Sequence, residues 1–456
     1  MKNRQSAGTP RSLAINCLVQ WAGTGKSIQA FIDPMIHNSG LAAADRQLAV
    51  MLVMGVLRRQ QYLDTILSRF SKTPLRKMKP LTLAAMRVGI YQLCFLERIP
   101  DSAAVNETVK ALKKARQPGW LLKFANGTLR TIAREKKSLP GPETAGPDNG
   151  PVLEHPAWLT ERWRKNFGAG RMEKICRINN LEPELCLLTN RSRTAPDRMA
   201  ELLCRASIAV RPGKYAPASL IVPDHRGAVT TLPSFKQGFF QIQDQAAQLA
   251  SLLLQPLEKN GRYLDGCAGL GGKTCAIAGA LPAGAVLYAV EPDRRRSRLL
   301  VENLARQQLD DRVIVVQQDL QTFSSSGPQP FTGILIDAPC SGTGVIRKHP
   351  DIRWNRQPED LATNQLLQLE LLQTAASMLA PGGILVYATC SLEPEENEQV
   401  IEQFLAATAG FTLTNCRDFL PASATGLVDN NGFFTPLPAD EIEGFFAARL
   451  VYNAQT

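Results

Sequence analysis

Residues 262–274 read RYLDGCAGLGGKT: a short apolar run ending at Asp265, a glycine-rich turn, then the start of a helical stretch. The same rhythm returns further along. AVLYAVE (285–291), RVIVVQQD (312–319), GILIDAP (333–339) and ILVYATC (384–390) are short, β-rich runs, separated by helical stretches such as 294–308 and 360–379. Strands buried on both faces read as near-continuous apolar runs, and parallel strands are joined by helices. The pattern therefore predicts an α/β domain with a parallel sheet covered on both sides. In such sheets ligands bind beyond the carboxyl ends of the strands, and the polar residues of these segments stand there.

The first turn, Cys267-Ala268-Gly269-Leu270-Gly271-Gly272-Lys273, brings backbone close to whatever binds it. It lacks the G-x-x-x-x-G-K spacing of a phosphate loop and the G-x-G-x-x-G of a dinucleotide site. The second run ends in Glu291, placed to accept hydrogen bonds from ribose hydroxyls, and the third in Asp319, placed to meet an adenine amine. One acid at a strand end is usually a cap. Successive acidic tips beside a glycine loop, with no phosphate grip, favour S-adenosylmethionine over ATP or a dinucleotide.

The fourth run ends Asp337-Ala338-Pro339-Cys340 and the fifth Thr389-Cys390-Ser391. With the usual switch in strand order these tips are neighbours, which predicts one pocket holding Cys340, Cys390, Asp337 and the methyl donor. A thiolate is a strong nucleophile toward soft carbon. Added to C6 of a pyrimidine, it makes C5 nucleophilic enough to take a methyl group, and Asp337 near N3 and the exocyclic amine would select cytosine. Most free cysteines are small buried apolar residues, and the other eight here are read that way. Which of the two thiols attacks is left open by the residues alone.

DAPCSGTGVIRKHPDIRW (337–354) and LVYATCSLEPEENE (385–398) resemble motifs of the RNA (cytosine-5) methyltransferases. The loop DGCAGLGGKT is similar to that family's D-x-C-A-A-P-G-G-K-T, with Gly269 and Leu270 in place of Ala-Pro. QIQDQAAQL (241–249) and GFFAARL (444–450) resemble two further family segments. The resemblance implies a Rossmann-like, S-adenosylmethionine-dependent domain. In it Cys390 is the nucleophile, Cys340 assists product release and Asp337 contacts the cytosine. Residues 267–273 with Glu291, Asp319 and Asp337 would hold the cofactor, and Lys273 would lie beside the acid. Arg347, Lys348, His349 and Arg353 follow the fourth tip and are expected to touch RNA phosphates. The target base must leave its stack, so single-stranded or loop RNA is expected.

Upstream, HPAWLTERWRKNFG (155–168) reads as an amphipathic helix, and Leu185–Thr189 and Leu220–Val222 as short strands. SLPGPETAGPDNGP (138–151) reads as a linker. Before it, Leu13, Cys17, Leu18 and Trp21, then Leu48, Met51, Leu52 and Val56, recur at helical spacing. FANGTLRTIAR (124–134) resembles the closing helix of the NusB-type RNA-binding fold. The expected layout is an all-α NusB-like domain (1–137), a linker (138–151), an α+β RNA-binding segment (152–236) and the methyltransferase domain (237–456). That order resembles 16S rRNA methyltransferases, which implies free 16S rRNA or an early assembly intermediate as substrate. The alternatives are a non-catalytic NusB-like assembly factor and the same chemistry on tRNA.

The charge agrees with a polyanion partner. The net formal charge is +11, yet residues 1–140 hold 23 Lys and Arg against 7 Asp and Glu, while the other 316 hold 29 against 34. Solvated helix faces are the plain alternative. No apolar run reaches 18 residues and MKNRQSAGTPRS has no apolar core, so neither a membrane span nor a secretory leader is expected. Ten scattered Cys and four His give no disulfide framework or metal site, and a cytoplasmic monomer is expected.

Overall fold

The computed structural model describes residues 8–223, 229–328 and 330–453. The opening seven residues, read above for a leader, lie outside the described residues. The chain forms two compact units. One holds the described residues up to Leu181 together with Ile346–Arg356. The other holds Glu182–Val345 together with Gln357 onward.

The first unit is helical. Thr9 caps the helix Pro10–Trp21, its hydroxyl accepting from Ser12 N at 3.2 Å, and Pro10 fits the first helical position without losing a hydrogen bond. Helices Ala43–Arg58, Pro80–Phe95, Asp101–Lys114 and Gly119–Glu135 turn Leu52, Val56, Met86, Ile90, Val105, Leu129 and Ile132 into one core. A Cβ on Gly55 would fall on the Tyr91 ring, so two of these helices touch only because that residue has no side chain. Residues 138–151 correct the linker reading. Leu139 and Ala145 pack against this core, Val152 joins it, and the Tyr62 hydroxyl donates to Pro140 O at 3.1 Å. Its prolines and glycines make turns held by apolar burial. The helices Ala157–Phe167 and Ala169–Asn179 follow in the same compact unit, which ends at residue 181.

The second unit has two sheets. The smaller is antiparallel, with order β2-β3-β1-β4, from β1 (Leu185–Thr189), β2 (Arg211–Pro212), β3 (Ser219–Val222) and β4 (Phe240–Ile242). The larger contains β5 (Arg262–Asp265), β6 (Val286–Val290), β7 (Val313–Val316), β8 (Phe331–Asp337), β9 (Leu379–Thr389), β10 (Phe411–Thr414) and β11 (Phe446–Tyr452). Its order is β10-β11-β9-β8-β5-β6-β7. The five strands predicted from the sequence are parallel, but β11 runs antiparallel to both β9 and β10, making the sheet mixed.

Period-two burial builds a core on each face. Tyr263, Leu335, Val386 and Ala388 meet Leu249, Ile277 and Leu300 on one side. Leu264, Ile334, Ile336 and Tyr387 meet Phe323, Leu372 and Phe404 on the other. The order also fixes the site. Because the chain steps from β5 outward to β6 and β7, then returns to β8 and β9 on the other flank, the tips of β5, β8 and β9 adjoin at the switch point.

Candidate active site

β8 and β9 pair in parallel with Asp337 opposite Ala388, which sets the loops after each strand side by side. Cys340 Sγ and Cys390 Sγ stand 3.4 Å apart, fifty residues distant in sequence and both half-buried. Cys340 keeps its proton: the hydrogen bond to Cys390 and burial push its thiol well above the ordinary range, and Glu396 and Asp337 add negative charge nearby. The two sulfurs are within hydrogen-bond distance of one another. Cys267 also stays neutral, through burial among Asp265, Asp337 and Glu291.

Asp337 Oδ2 accepts from Lys273 Nζ at 2.5 Å. Lys273 belongs to the helix Gly272–Ala278, is almost wholly buried, and lies over the Phe445 ring. It does not face solvent as a helix-start lysine would. The backbone beside the thiols is equally close: Gly344 N donates to Cys390 O at 2.9 Å, and a Cβ there would strike the backbone of Gly444.

Sequence reading missed the group that ties these loops together. Glu396 is fully buried. Its Oε1 accepts from Ser341 N and Asn364 Nδ2, both at 2.7 Å, and its Oε2 from the hydroxyls of Ser341 and Ser391, both at 2.5 Å. Charge-assisted hydrogen bonds of this kind are roughly twice as strong as neutral ones. Asn397 adds a second tie, donating to Ser391 O at 3.0 Å and accepting from Thr389 Oγ1 at 2.6 Å. The only signal was four glutamates in 393–398, a density that ordinarily marks a solvated surface.

At the other side of the switch point, the loop after β5 turns through Gly269 and Gly271 at positive φ. Cβ atoms at Gly266 and Gly271 would run into Ile336 and Leu300, so glycine lets the loop lie flat on the strand tips. Asp265 Oδ2 accepts from Thr274 Oγ1 at 2.7 Å, and burial pushes this carboxyl up to about 6. Glu291 is buried at the end of β6, its Oε1 accepting from Asp293 N at 2.8 Å. Asp319 is exposed and caps the helix Leu320–Ser326, taking Thr322 N at 2.7 Å and Thr322 Oγ1 at 3.0 Å. A loop without phosphate-gripping geometry, flanked by carboxylates on adjoining tips, fits a cationic adenosine-bearing methyl donor. Residues 267–273 with Glu291, Asp319 and Asp337 would hold it, bringing an electrophilic methyl group.

Two of the four basic residues expected at RNA phosphates are buried in the protein. Arg353 is buried in the helical unit, where its Nη1 donates to Glu154 O at 2.8 Å and Asn180 Oδ1 at 2.7 Å, and its Nη2 to Asn179 O at 2.9 Å. Arg347 is buried too, and its carbonyl accepts from Arg58 Nη2. Arg353 therefore corrects the phosphate reading: its guanidinium finds its oxygen acceptors inside the protein. Lys348 is half-buried, and of the four only His349 is exposed.

A family model described as "16S rRNA methyltransferase RsmB/F" matches residues 251–451. One for the NusB family matches 9–134, and one for a RsmF/B-like ferredoxin-like domain matches 155–228. The small subunit ribosomal RNA methyltransferase B of Pseudomonas putida is 37% identical over 412 residues, covering 89% of this chain and 90% of its own. Among solved structures, that of PH0851 superposes with a TM-score of 0.78 at 24% identity, over 97% of this chain and 98% of its own. A methyltransferase homolog from Pyrococcus horikoshii superposes at 0.56 and 26% identity, over 66% of this chain and 96% of its own. With a NusB-type helical N-terminus, a ferredoxin-like small domain and a Rossmann-like catalytic domain, the chain belongs to the RsmB/F family of 16S rRNA methyltransferases, whose methyl donor is S-adenosylmethionine.

Proposed function

We propose that the enzyme methylates C5 of a cytosine in 16S rRNA through a covalent bond between Cys390 and C6 of the base. The observation that carries this reading is the 3.4 Å approach of two thiols beside the Asp337–Lys273 pair. Cys390 gives its proton to solvent and its thiolate adds to C6, which drives the C5–C6 π electrons onto C5 and makes it a nucleophile. Asp337, fixed by Lys273, accepts from the exocyclic amine of the cytosine and sets the ring's orientation. C5 takes the methyl group that S-adenosylmethionine supplies. Loss of the C5 proton to solvent reforms the double bond and expels the Cys390 sulfur, which Cys340 protonates from 3.4 Å away before regaining a proton from solvent. The neutrality of Cys340 supports this division of labour, because a proton donor must still hold its proton when the adduct breaks.

Incubating Cys340→Ala with 16S rRNA and methyl donor should accumulate a protein–RNA adduct stable to denaturing gels, while Cys390→Ala should give none. An adduct in neither variant would overturn the reading. Running the assay on free 16S rRNA, assembled small subunits and tRNA defines the substrate, and free or early-assembly 16S rRNA is the expected one.

A further inference from the structure

The helix Gly119–Glu135 spends its inward face on the helical core through Leu121, Ala125, Thr128, Leu129 and Ile132. Its outward face is Trp120, Lys123, Gly127, Arg130 and Arg134, spaced three, four, three and four residues apart, and all are exposed. Trp120 leaves 69% of its surface in water, although indole is among the most valuable residues a core can bury. Gly127 is the second anomaly. A mid-helix glycine costs about 1 kcal/mol relative to alanine, yet a Cβ here would meet nothing within 4 Å. No packing demands the glycine; it keeps the middle of the face low. The third feature is charge. Between Glu107 and Glu135 there is no acidic residue and there are seven Lys and Arg, including Lys113 at the end of the preceding helix and Arg116 in the turn before Trp120. Arg134 meets Glu135 at 3.6 Å but remains 75% exposed.

We propose that this face binds a single-stranded segment of RNA, with a base stacked on Trp120 and the backbone laid over Gly127 between Lys123, Arg130 and Arg134. An aromatic with cations along one line, and no acid, is the arrangement that single strands use: the ring takes a base face and the cations take phosphates. A duplex hides its base faces and would leave Trp120 without a partner. The surface goes beyond the catalytic reading above, since it serves binding of the RNA and not the transfer.

The test uses the full chain, with a labelled single-stranded RNA of about 16 nucleotides and the same sequence as a duplex. Trp120→Ala should weaken single-strand binding about fivefold to a hundredfold, the worth of one stacked base, while Trp120→Phe retains most of it. Arg130→Ala should reduce the salt slope by about 0.7, one phosphate's share on a single strand. Gly127→Glu should weaken binding while leaving the melting temperature unchanged or higher, which separates it from a folding defect. Wild-type affinity in both Trp120→Ala and Gly127→Glu, or an equal loss on the duplex, would overturn the proposal. A missing Cys390 adduct in every variant would count against the catalytic reading alone.

Discussion

Asp337–Trp354 is one uninterrupted stretch of sequence with two destinations. Its first half ends at the strand tips, where Asp337 and Cys340 are partly exposed and their partners are reactive groups. Its second half enters the helical unit. There Asp351 Oδ2 accepts from Ile28 N at 2.9 Å, Trp354 Nε1 donates to Leu57 O at 2.8 Å, and Arg353 is enclosed by carbonyl oxygens. Both halves are dense in polar residues, and the difference lies in what each polar group must satisfy. At the tips a polar group can await a ligand; inside the helical unit it has to be paired on folding or cost stability.

The largest effect that sharpens this contrast is on stability. Arg353→Met keeps length and bulk but leaves Glu154 O, Asn179 O and Asn180 Oδ1 without their donor. Each buried acceptor left without its donor costs about 1–3 kcal/mol. Urea denaturation should show a loss of that order, with the salt slope of RNA binding unchanged. An arginine serving a phosphate would behave the other way round, keeping stability and losing about 0.7 from the slope.

The next effect falls on the tip half and on turnover. Glu396→Gln replaces a carboxylate that takes five donors with an amide that must turn its own N–H groups toward some of them. The Ser341 and Ser391 loops should then lose their fixed spacing, and with them the two thiols. Misplacing reacting groups by about 1 Å costs up to a hundredfold. Steady-state assays should give a kcat lower by about tenfold to a hundredfold with KM for the methyl donor unchanged, because the cofactor loop lies outside this network. An unchanged kcat would show that the thiols need no such tie.

The parallel part of the large sheet could be read from residues 262 to 390 because its inner strands are buried on both faces and say so in Val, Ile and Leu. The thiol pair was legible for a related reason: chain order plus a switch in strand direction dictates which tips adjoin, and 340 and 390 follow neighbouring strands. What stayed hidden depends on partners distant in sequence. β11 looks like any other strand, and only its pairing with β9 and β10 makes it antiparallel. Glu396 sits in a run of acids whose ordinary place is water, and Pro394–Glu396 forms the 3₁₀ turn at whose end Glu396 is buried. Arg353 needed the carbonyls of residues 154 and 179, nearly two hundred positions upstream.

The smallest effect concerns the acid beside that arginine. Glu154 Oε2 accepts from Gln61 N at 2.8 Å and Oε1 from Tyr62 N at 3.2 Å, so this carboxylate serves the first turn of the helix Gln60–Phe70. Burial nevertheless outweighs those amides and pushes Glu154 up to about 7. The unfolded chain releases the same proton near the ordinary glutamate value, so between the two values the folded state binds more protons. Its contribution to stability is complete below that ordinary value and is lost as pH rises toward 7. Glu154→Gln removes the titration and keeps an oxygen for the amides. Wild-type stability measured against the variant by urea should therefore fall as pH is raised from about 4.5 to 7, by at most about 1.4 kcal/mol per unit. A difference that grew with pH would mean that Arg353 and the helix amides outweigh burial, and that the second half of the stretch is held by an ion pair instead of by neutral oxygens.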